Sequence, residues 1–173
     1  GAVELGNGAI ATGNNSTAIG ENSSVSGDNA TGVGSNTNSH GLNSTAIGSS
    51  AGAFADNTTS VGGGSRATEN GATSIGQNAA ATGENTTVIG KDANSGAYNG
   101  VSIGSSSSSN SDNSTSIGAG SSANSSNSTS VGSNSMSNGT NSVSIGEGSM
   151  SNGVNSIAVG SSNSNGKLAV FKI

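Results

Sequence analysis

The stretch NSTSIG at residues 113–118 recurs in closely similar form at a fixed interval along the chain. The copies that follow it are NSTSVG (127–132), NSVSIG (141–146) and NSIAVG (155–160), and two earlier ones are both NSTAIG (15–20 and 43–48). A segment that keeps its spacing so strictly predicts one structural unit, repeated along the chain.

The glycine that ends each copy extends this 14-residue period over the whole sequence. We number the unit from this glycine, which is position 1, so that the Leu, Ile or Val before it is position 14. No insertion or deletion interrupts the series. Position 1 is occupied by Gly6, Gly20, Gly34, Gly48, Gly62, Gly76, Gly90, Gly104, Gly118, Gly132, Gly146 and Gly160.

The composition excludes an ordinary globular core. Aromatic residues make up 2% and charged residues 8% of the 173 residues, with no proline and no cysteine. Large apolar side chains are too few to offset the entropy of ordering the backbone, so regular backbone hydrogen bonding between repeats is the expected source of stability. The net charge of -5 and only four Lys or Arg residues argue against a nucleic-acid partner.

Each unit is too short for a pair of helices and reads instead as two short strands joined by corners rich in Gly and Asn. Under the two-residue alternation of strands, positions 4, 6 and 8 share a face, as do positions 12 and 14. Because positions 4 and 6 carry small residues, we expect them to face the interior. Positions 5 and 7 carry bulkier residues and are expected to face outward. Glu69, at position 8, does not fit this arrangement. The fold class is therefore all-β: a parallel β-solenoid of 14-residue coils with two short strands per coil.

Position 14 carries one large apolar residue in every coil. This ladder either fills the interior of the roll or forms a stripe outside it that other chains would cover, and the sequence leaves both arrangements open. Its members are Ile19, Val33, Ile47, Val61, Ile75, Ile89, Ile103, Ile117, Val131, Ile145 and Val159.

Asparagine fills position 10 in nearly every unit, and Gly71 is the exception. Asn at this position could stack as an amide ladder or simply provide a turn residue that tolerates positive φ, as Gly does, and either role is structural. These turn residues are Asn15, Asn29, Asn43, Asn57, Asn85, Asn99, Asn113, Asn127, Asn141 and Asn155.

Exposed apolar groups stand out on so polar a chain and are candidates for contact with a partner. Met136 and Met150 occupy the same position one unit apart, so they should stack on the outer face. Together with Phe54 and Tyr98 they are the predicted partner contacts.

The residues of catalytic and metal sites do not occur together in this sequence. His40 is the only histidine, the carboxylates are scattered, and no base accompanies the many serines. We therefore expect no enzyme activity, no metal site and no cofactor. The threonines at position 12 are ordinary strand residues, although a flat exposed rank of them could also bind ice.

The repeated NSTAIG, NSVSIG and NSIAVG, in 14-residue units with small residues between them, resemble the YadA-like head repeat of trimeric autotransporter adhesins. The resemblance runs from about residue 3 to residue 165. It implies a left-handed parallel β-roll, a parallel homotrimer, and a location at the surface of a Gram-negative bacterium. It also implies a host matrix or cell-surface protein or glycan as the partner, and attachment to the outer membrane only through a C-terminal anchor outside this sequence. Position 12 departs from the family pattern, since it is mostly Thr rather than Val.

Two other functions remain open at this stage. A phage or virus fibre segment could use the same roll, and a monomeric ice-binding solenoid could use the threonine ranks. The function that we expect ahead of these two is that of a cell-surface adhesin head, which would form a rigid trimeric rod and mediate attachment.

The predicted organisation is a β-roll of about twelve repeats over residues 1–165 and an apolar C-terminal segment over 166–173. The segment ends in GKLAVFKI, and its last residue, Ile173, falls at position 14. The strand register is therefore expected to continue to the end, with the segment acting as a terminal cap or as a docking strand.

Overall fold

The computed structural model describes residues 1–161 and 169–172, which form two sheets whose strand pairs are parallel except for the last pair of the larger sheet. Sheet I has 13 strands and sheet II has 11, and successive strands of the chain alternate between them except for the last two, which both lie in sheet I. The described residues contain no helix, and hence none long and apolar enough to cross a membrane. Eleven full coils, each with one strand from each sheet, are followed by two further strands, which both belong to sheet I.

The strands of sheet I are mostly three residues long and those of sheet II are two. Sheet I contains β1 (Val3–Leu5), β3 (Thr17–Ile19), β5 (Thr31–Val33), β7 (Thr45–Ile47), β9 (Thr59–Val61), β11 (Thr73–Ile75), β13 (Thr87–Ile89), β15 (Val101–Ile103), β17 (Thr115–Ile117), β19 (Thr129–Val131), β21 (Val143–Ile145), β23 (Ser156–Val159) and β24 (Ala169–Lys172). Sheet II contains β2 (Ile10–Ala11), β4 (Ser24–Val25), β6 (Asn38–Ser39), β8 (Gly52–Ala53), β10 (Arg66–Ala67), β12 (Ala80–Ala81), β14 (Asn94–Ser95), β16 (Ser108–Ser109), β18 (Ser122–Ala123), β20 (Met136–Ser137) and β22 (Met150–Ser151).

The register of both sheets is the sequence period itself. Thr73 is aligned with Thr87 and Ile75 with Ile89, each one period further on, and the parallel pairs throughout keep this offset. Every position therefore lies above its own counterpart, so each forms a rank of side chains along the rod. The parallel β-solenoid predicted from the sequence is confirmed.

Glycine at position 1 is required by the close approach of successive coils. Its φ lies between 124° and 142° in every unit, a conformation that L side chains rarely adopt. A Cβ on Gly90 would lie 2.4 Å from the carbonyl oxygen of Gly104 in the next coil. The overlap is with backbone atoms of the next coil and not with a flexible side chain, so a small movement of the neighbouring residue cannot relieve it.

Replacing Gly90 by Ala should therefore destabilise the fold by about 3 kcal/mol or more, through strain and backbone overlap together. Gly63 is the matched control, because it has no positive φ and only the Ser49 oxygen, at 3.9 Å, near its missing Cβ. Gly63→Ala should leave stability unchanged or raise it slightly. Urea unfolding followed by circular dichroism measures both, and equal effects would contradict this account of position 1.

The interior of the roll is built from Ala, Ser and Thr at positions 4, 6, 11 and 13. The largest fully buried side chains are Val25 and Val88, followed by threonines and serines. The expectation that positions 4 and 6 face inward is met. Position 8 lies in the corner that follows: it is buried in several coils where it is Gly or Ala, for example Gly27 and Ala97, whereas Glu69 is exposed there. Positions 11 and 13 complete the interior, which places positions 12 and 14 on the outside of sheet I.

Serine pairs bridge the two sheets through this narrow interior. Position 13 bonds to position 4 of the next unit, as in Ser60 with Ser65 at 2.7 Å, and position 6 bonds to position 11, as in Ser39 with Ser44 at 2.7 Å. A serine whose opposite member is not a serine can be left without a partner, although some bond to a backbone oxygen instead, as Ser16 does to Gly13 O. Ser74 lies opposite Ala79 in this pattern, and its buried hydroxyl makes no hydrogen bond.

Replacing Ser74 by Ala should raise the free energy of unfolding by about 1 kcal/mol, because it removes a buried hydroxyl without a partner. Ser60 occupies the same position in the preceding coil and does have a partner, so Ser60→Ala should lower the free energy of unfolding by about 1 kcal/mol. Urea unfolding at one fixed protein concentration compares the two. Two changes of the same sign would contradict the pairing rule.

The C-terminal strand departs from the sequence expectation. β24 pairs antiparallel with β23, with Ile157 aligned with Phe171 and Val159 with Ala169, so the parallel register does not continue. The reason is geometric: a chain that turns back on the last coil hydrogen-bonds to its open edge without forming another coil. Ile173 lies outside the described residues. The role of residues 166–173 as a cap or docking segment stays a prediction.

Candidate functional site: the outer faces of the two sheets

The outer face of sheet I carries the apolar ladder of position 14. None of its members fills the interior, which answers the question that the sequence left open. Ile89 and Ile145 are 37% and 41% exposed, although the chain has few large apolar residues to leave in water. Ile47, Ile75, Ile117 and Val159 are similarly exposed, and Ile19, Val33, Val61, Ile103 and Val131 are half-buried.

The threonines of position 12 lie beside this ladder on the same face. Six successive coils carry Thr at this position, from Thr17 to Thr87, and each of these side chains is half-buried. Their aligned ranks and those of the Ile and Val residues together form a continuous, largely apolar strip along the rod. No Asp, Glu, Lys or Arg occupies positions 12 or 14 between β1 and β23.

The outer face of sheet II carries three of the four predicted partner contacts. Met136 and Met150 are aligned in neighbouring strands, with Met150 exposed and Met136 half-buried. Phe54 is exposed on the same face, six coils from Met136. Tyr98 is exposed too, but at position 9, in a corner, where its backbone N–H donates to Asp112 Oδ1 at 3.0 Å. The four residues therefore do not form one surface.

An aromatic contact on sheet II was not expected from the sequence. The rings of His40 and Phe54 meet edge to face, with centroids 5.9 Å apart and an interplanar angle of 73°. The ring of Phe54 also lies over Gly52, so closely that a Cβ there would be 2.3 Å from Cε2. The signal was present, since His40 and Phe54 share position 7 in consecutive units and Gly52 is the only glycine at position 5 in strands β2 to β22.

A second feature missed at the sequence level is a ladder of side-chain amides on the same face. Asn110 Nδ2 donates to Asn124 Oδ1, Asn124 to Asn138, and Asn138 to Asn152, each at 2.7 Å. All four are at position 7, so the 14-residue period alone could have indicated the ladder. Stacked amides of this kind stiffen a surface without charging it.

The asparagines of position 10 occupy the corner that leads into sheet I. Asn43 has φ 55° and donates from Nδ2 to Asn57 Oδ1 at 3.3 Å, and Gly71 takes the same position with φ 70°. The left-handed conformation accounts for the restriction to Asn or Gly, as expected. Similar positive φ values, between 53° and 57°, hold for Asn15, Asn29, Asn57, Asn85, Asn99, Asn113, Asn127, Asn141 and Asn155. A further turn at position 3, for example Asn22 and Asn36, was not anticipated.

Charged side chains lie mostly in the corners. The backbone N–H of Asn14 donates to Asp28 Oδ1 at 2.7 Å, and this bond, with one from the Asn14 side chain, lowers the pKa of Asp28. The ion pair seen among the described residues is Lys91 with Asp92 at 3.4 Å, which is exposed. In that part of the chain, no three His, Asp or Glu side chains are grouped so as to hold a metal ion.

Comparison with known proteins gives two matches of different kinds. The family model described as a YadA head domain repeat (2 copies) matches the chain in ten overlapping segments. The segments are 5–23, 11–37, 26–51, 39–65, 53–79, 67–93, 81–107, 95–121, 109–135 and 137–163. Among curated proteins, no sequence matches.

Among solved structures, the chain is similar to the crystal structure of the collagen-binding domain of the Yersinia adhesin YadA. The TM-score is 0.66 and the sequences are 33% identical over 75% of this chain and 72% of that one. The family model thus matches most of the chain between residues 5 and 163, and the chain therefore belongs to the family of YadA head domains.

Proposed function

We propose that this chain is the adhesive head of a bacterial surface protein, and that three copies assemble side by side into a rigid rod. The observation that carries the proposal is the strip of sheet I. Its Ile and Val side chains and the threonines beside them face outward along the roll, in a chain that belongs to a family of adhesin heads. The proposed role is binding, and it needs no cofactor. A cell-surface location follows from family membership.

The physical argument for assembly rests on where the large apolar residues lie. The interior holds mainly Ala, Ser and Thr, so its hydrophobic contribution is small. Fully burying an Ile side chain is worth about 1.5–3 kcal/mol, and the part that corresponds to its exposed surface, such as the 37% of Ile89, is gained only by contact outside the single chain. Because every coil repeats the same strip, parallel association adds the same contact many times. A threefold arrangement agrees with the resemblance to trimeric adhesins.

The strip should control the mass of the particle in solution. The wild-type chain should sediment at three times the chain mass of 16.1 kDa. Ile75→Asp combined with Ile89→Asp places two charges in the strip and should yield a 16.1 kDa species, because an unpaired charge is costly to bury. Analytical ultracentrifugation at micromolar concentration measures both.

Ser108→Asp with Ser122→Asp is the matched control, since these residues lie at position 5 on the outer face of sheet II. The control should keep the wild-type mass. A wild-type chain that sediments as a monomer, or a control that dissociates as readily as the strip variant, would contradict the proposed assembly.

One observation favours a second function. The threonines of position 12 face outward in an evenly spaced rank beside Ile and Val, the arrangement that an ice-binding solenoid would need. A monomer that depresses the freezing point of its solution below the melting point would support that function. The ultracentrifugation experiment therefore decides between the two, because a trimer covers this rank.

As an adhesive head, the rod would bind extracellular matrix through many weak contacts on a stiff array. The similar Yersinia domain binds collagen, and we extend matrix binding to this chain as part of the proposal. Few aromatic side chains are available as hot spots, so we expect no single pocket to dominate the affinity. Three chains would multiply the effect of each contact.

Alanine at Met136, Met150, Phe54 or Tyr98 should each weaken attachment to immobilised collagen by about three- to tenfold, because exposed apolar side chains supply most of a contact's energy. Surface plasmon resonance on a collagen-coated chip gives the affinities. Alanine at the corner residues Glu21 and Glu147 is the control and should change affinity little. Equal losses in both groups would show that the contact residues were chosen wrongly.

A further inference from the structure

We propose that one patch on the outer face of sheet II binds a pyranose sugar that carries a carboxylate or sulfate group. The patch consists of Asn38, His40, Gly52, Phe54, Arg66 and Thr68. Its use by a trimer in attachment rests on the proposed adhesive function, whereas contact between the sugar and a single chain does not.

The centre of the patch is an aromatic ring laid onto the sheet. Gly52 is buried beneath Phe54, because the ring occupies the space in which a position 5 side chain would lie. The same ring is 40% exposed on its other side. The ring of His40 contacts it edge to face from the neighbouring coil, with the centroids 5.9 Å apart. Phe54 is therefore a positioned platform and not a freely rotating side chain.

Polar groups surround this platform at spacings set by the sheet. Asn38 and Arg66 are aligned with Gly52 in the strands on either side, which places them about 4.8 Å away along the rod. Thr68 is at position 7 in the coil that follows Phe54, as His40 is in the coil before it. The platform thus has hydrogen-bonding groups along both of its flanks.

Charge selects the kind of sugar. Arg66 is the one Lys or Arg at positions 5 and 7 of the described coils, and those two positions carry no Asp or Glu. Within the described residues Arg66 forms no ion pair, and it is exposed. A guanidinium presents a fork of donors that matches a carboxylate or sulfate. On a chain with net charge -5, this face is where an anionic ligand meets least repulsion.

A sugar fits these observations better than a peptide. A pyranose offers a flat face of C–H bonds to an aromatic ring and a rim of hydroxyls to polar neighbours. An extended peptide would need an unpaired strand edge, and β8 is paired on both sides, by β6 and β10. A protein hot spot would be expected to bring more than one large aromatic side chain.

The test uses saturation-transfer NMR with three probes: lactose 3′-sulfate, 3′-sialyllactose and lactose. The two anionic sugars should bind with a Kd on the order of millimolar, and lactose should bind about tenfold more weakly. The sulfated lactose carries no carboxylate and the sialyllactose no sulfate, so these two probes distinguish the recognised group. Signal should transfer mainly to the ring protons of the sugar that faces Phe54.

Three variants separate the parts of the patch. Phe54→Ala should weaken binding of the anionic sugars by about tenfold. Arg66→Gln should reduce their binding to the level of lactose. Gly52→Ser should weaken it by a similar factor although no polar group is removed, because a side chain there lifts the ring off the sheet. Serine is accepted at this position elsewhere, for example in Ser24 and Ser108, so the fold should persist.

Ser122→Ala, on the same face five coils away, is the matched control and should bind all three sugars as the wild type does. Binding of lactose equal to that of the anionic sugars, or wild-type binding by Gly52→Ser and Phe54→Ala, would overturn the proposal. So would a change of sedimenting mass in Phe54→Ala without loss of sugar binding, since the patch would then contact another copy of the chain. Sugar binding without attachment to collagen would instead count against the proposed adhesive function alone.

Discussion

Hydrogen bonding of each coil to the next is the constraint on which the rest of this molecule depends. The backbone N–H of Thr73 donates to Thr86 O at 2.8 Å, and that of Gly90 donates to Ile75 O at 2.8 Å, so strand and corner alike are tied to their neighbours. A one-residue insertion would break this match between the coil that carries it and the coils on either side. The fixed length of the coil and the glycine at position 1 both follow from that requirement.

Close stacking also inverts the usual placement of hydrophobic residues. The two sheets lie so near each other that Val88 is among the largest side chains fully enclosed, while Ile89 beside it is exposed. Serine pairs such as Ser60 with Ser65 fill the interior with hydrogen bonds in place of large apolar groups. The chain is thus held together internally by its backbone, and its hydrophobic surface is left for contacts between chains.

The sequence predicted the features that repeat and failed on those that depend on a side chain's direction. The coil length, the two strands and the asparagine turns could be read from spacing, because each is a backbone property. The direction of Ile19 and its counterparts could not, since an apolar residue normally indicates an interior position and the corner between the strands interrupts the alternation. Glu69 did not fit the predicted inward face because its position, 8, lies in a corner. The contact of Phe54 with His40 and Gly52 depends on the rotamer of Phe54, which residue spacing does not indicate. The antiparallel pairing of β24 with β23 depends on chain geometry, which spacing does not indicate either.

In a solenoid of this kind, specificity arises where a rank changes its residue type. A rank of identical residues offers the same weak contact at every coil, so it gives strength and length but cannot distinguish one ligand from another. Gly52, Phe54 and Arg66 interrupt ranks otherwise occupied largely by Ser, Ala, Asn and Thr, and they do so in two adjacent coils. The backbone is unaffected, since Gly52 remains in register with Arg66. A regular scaffold can therefore acquire a local binding site by exchanging outward side chains alone, because none of them contributes to the stacking that maintains the fold.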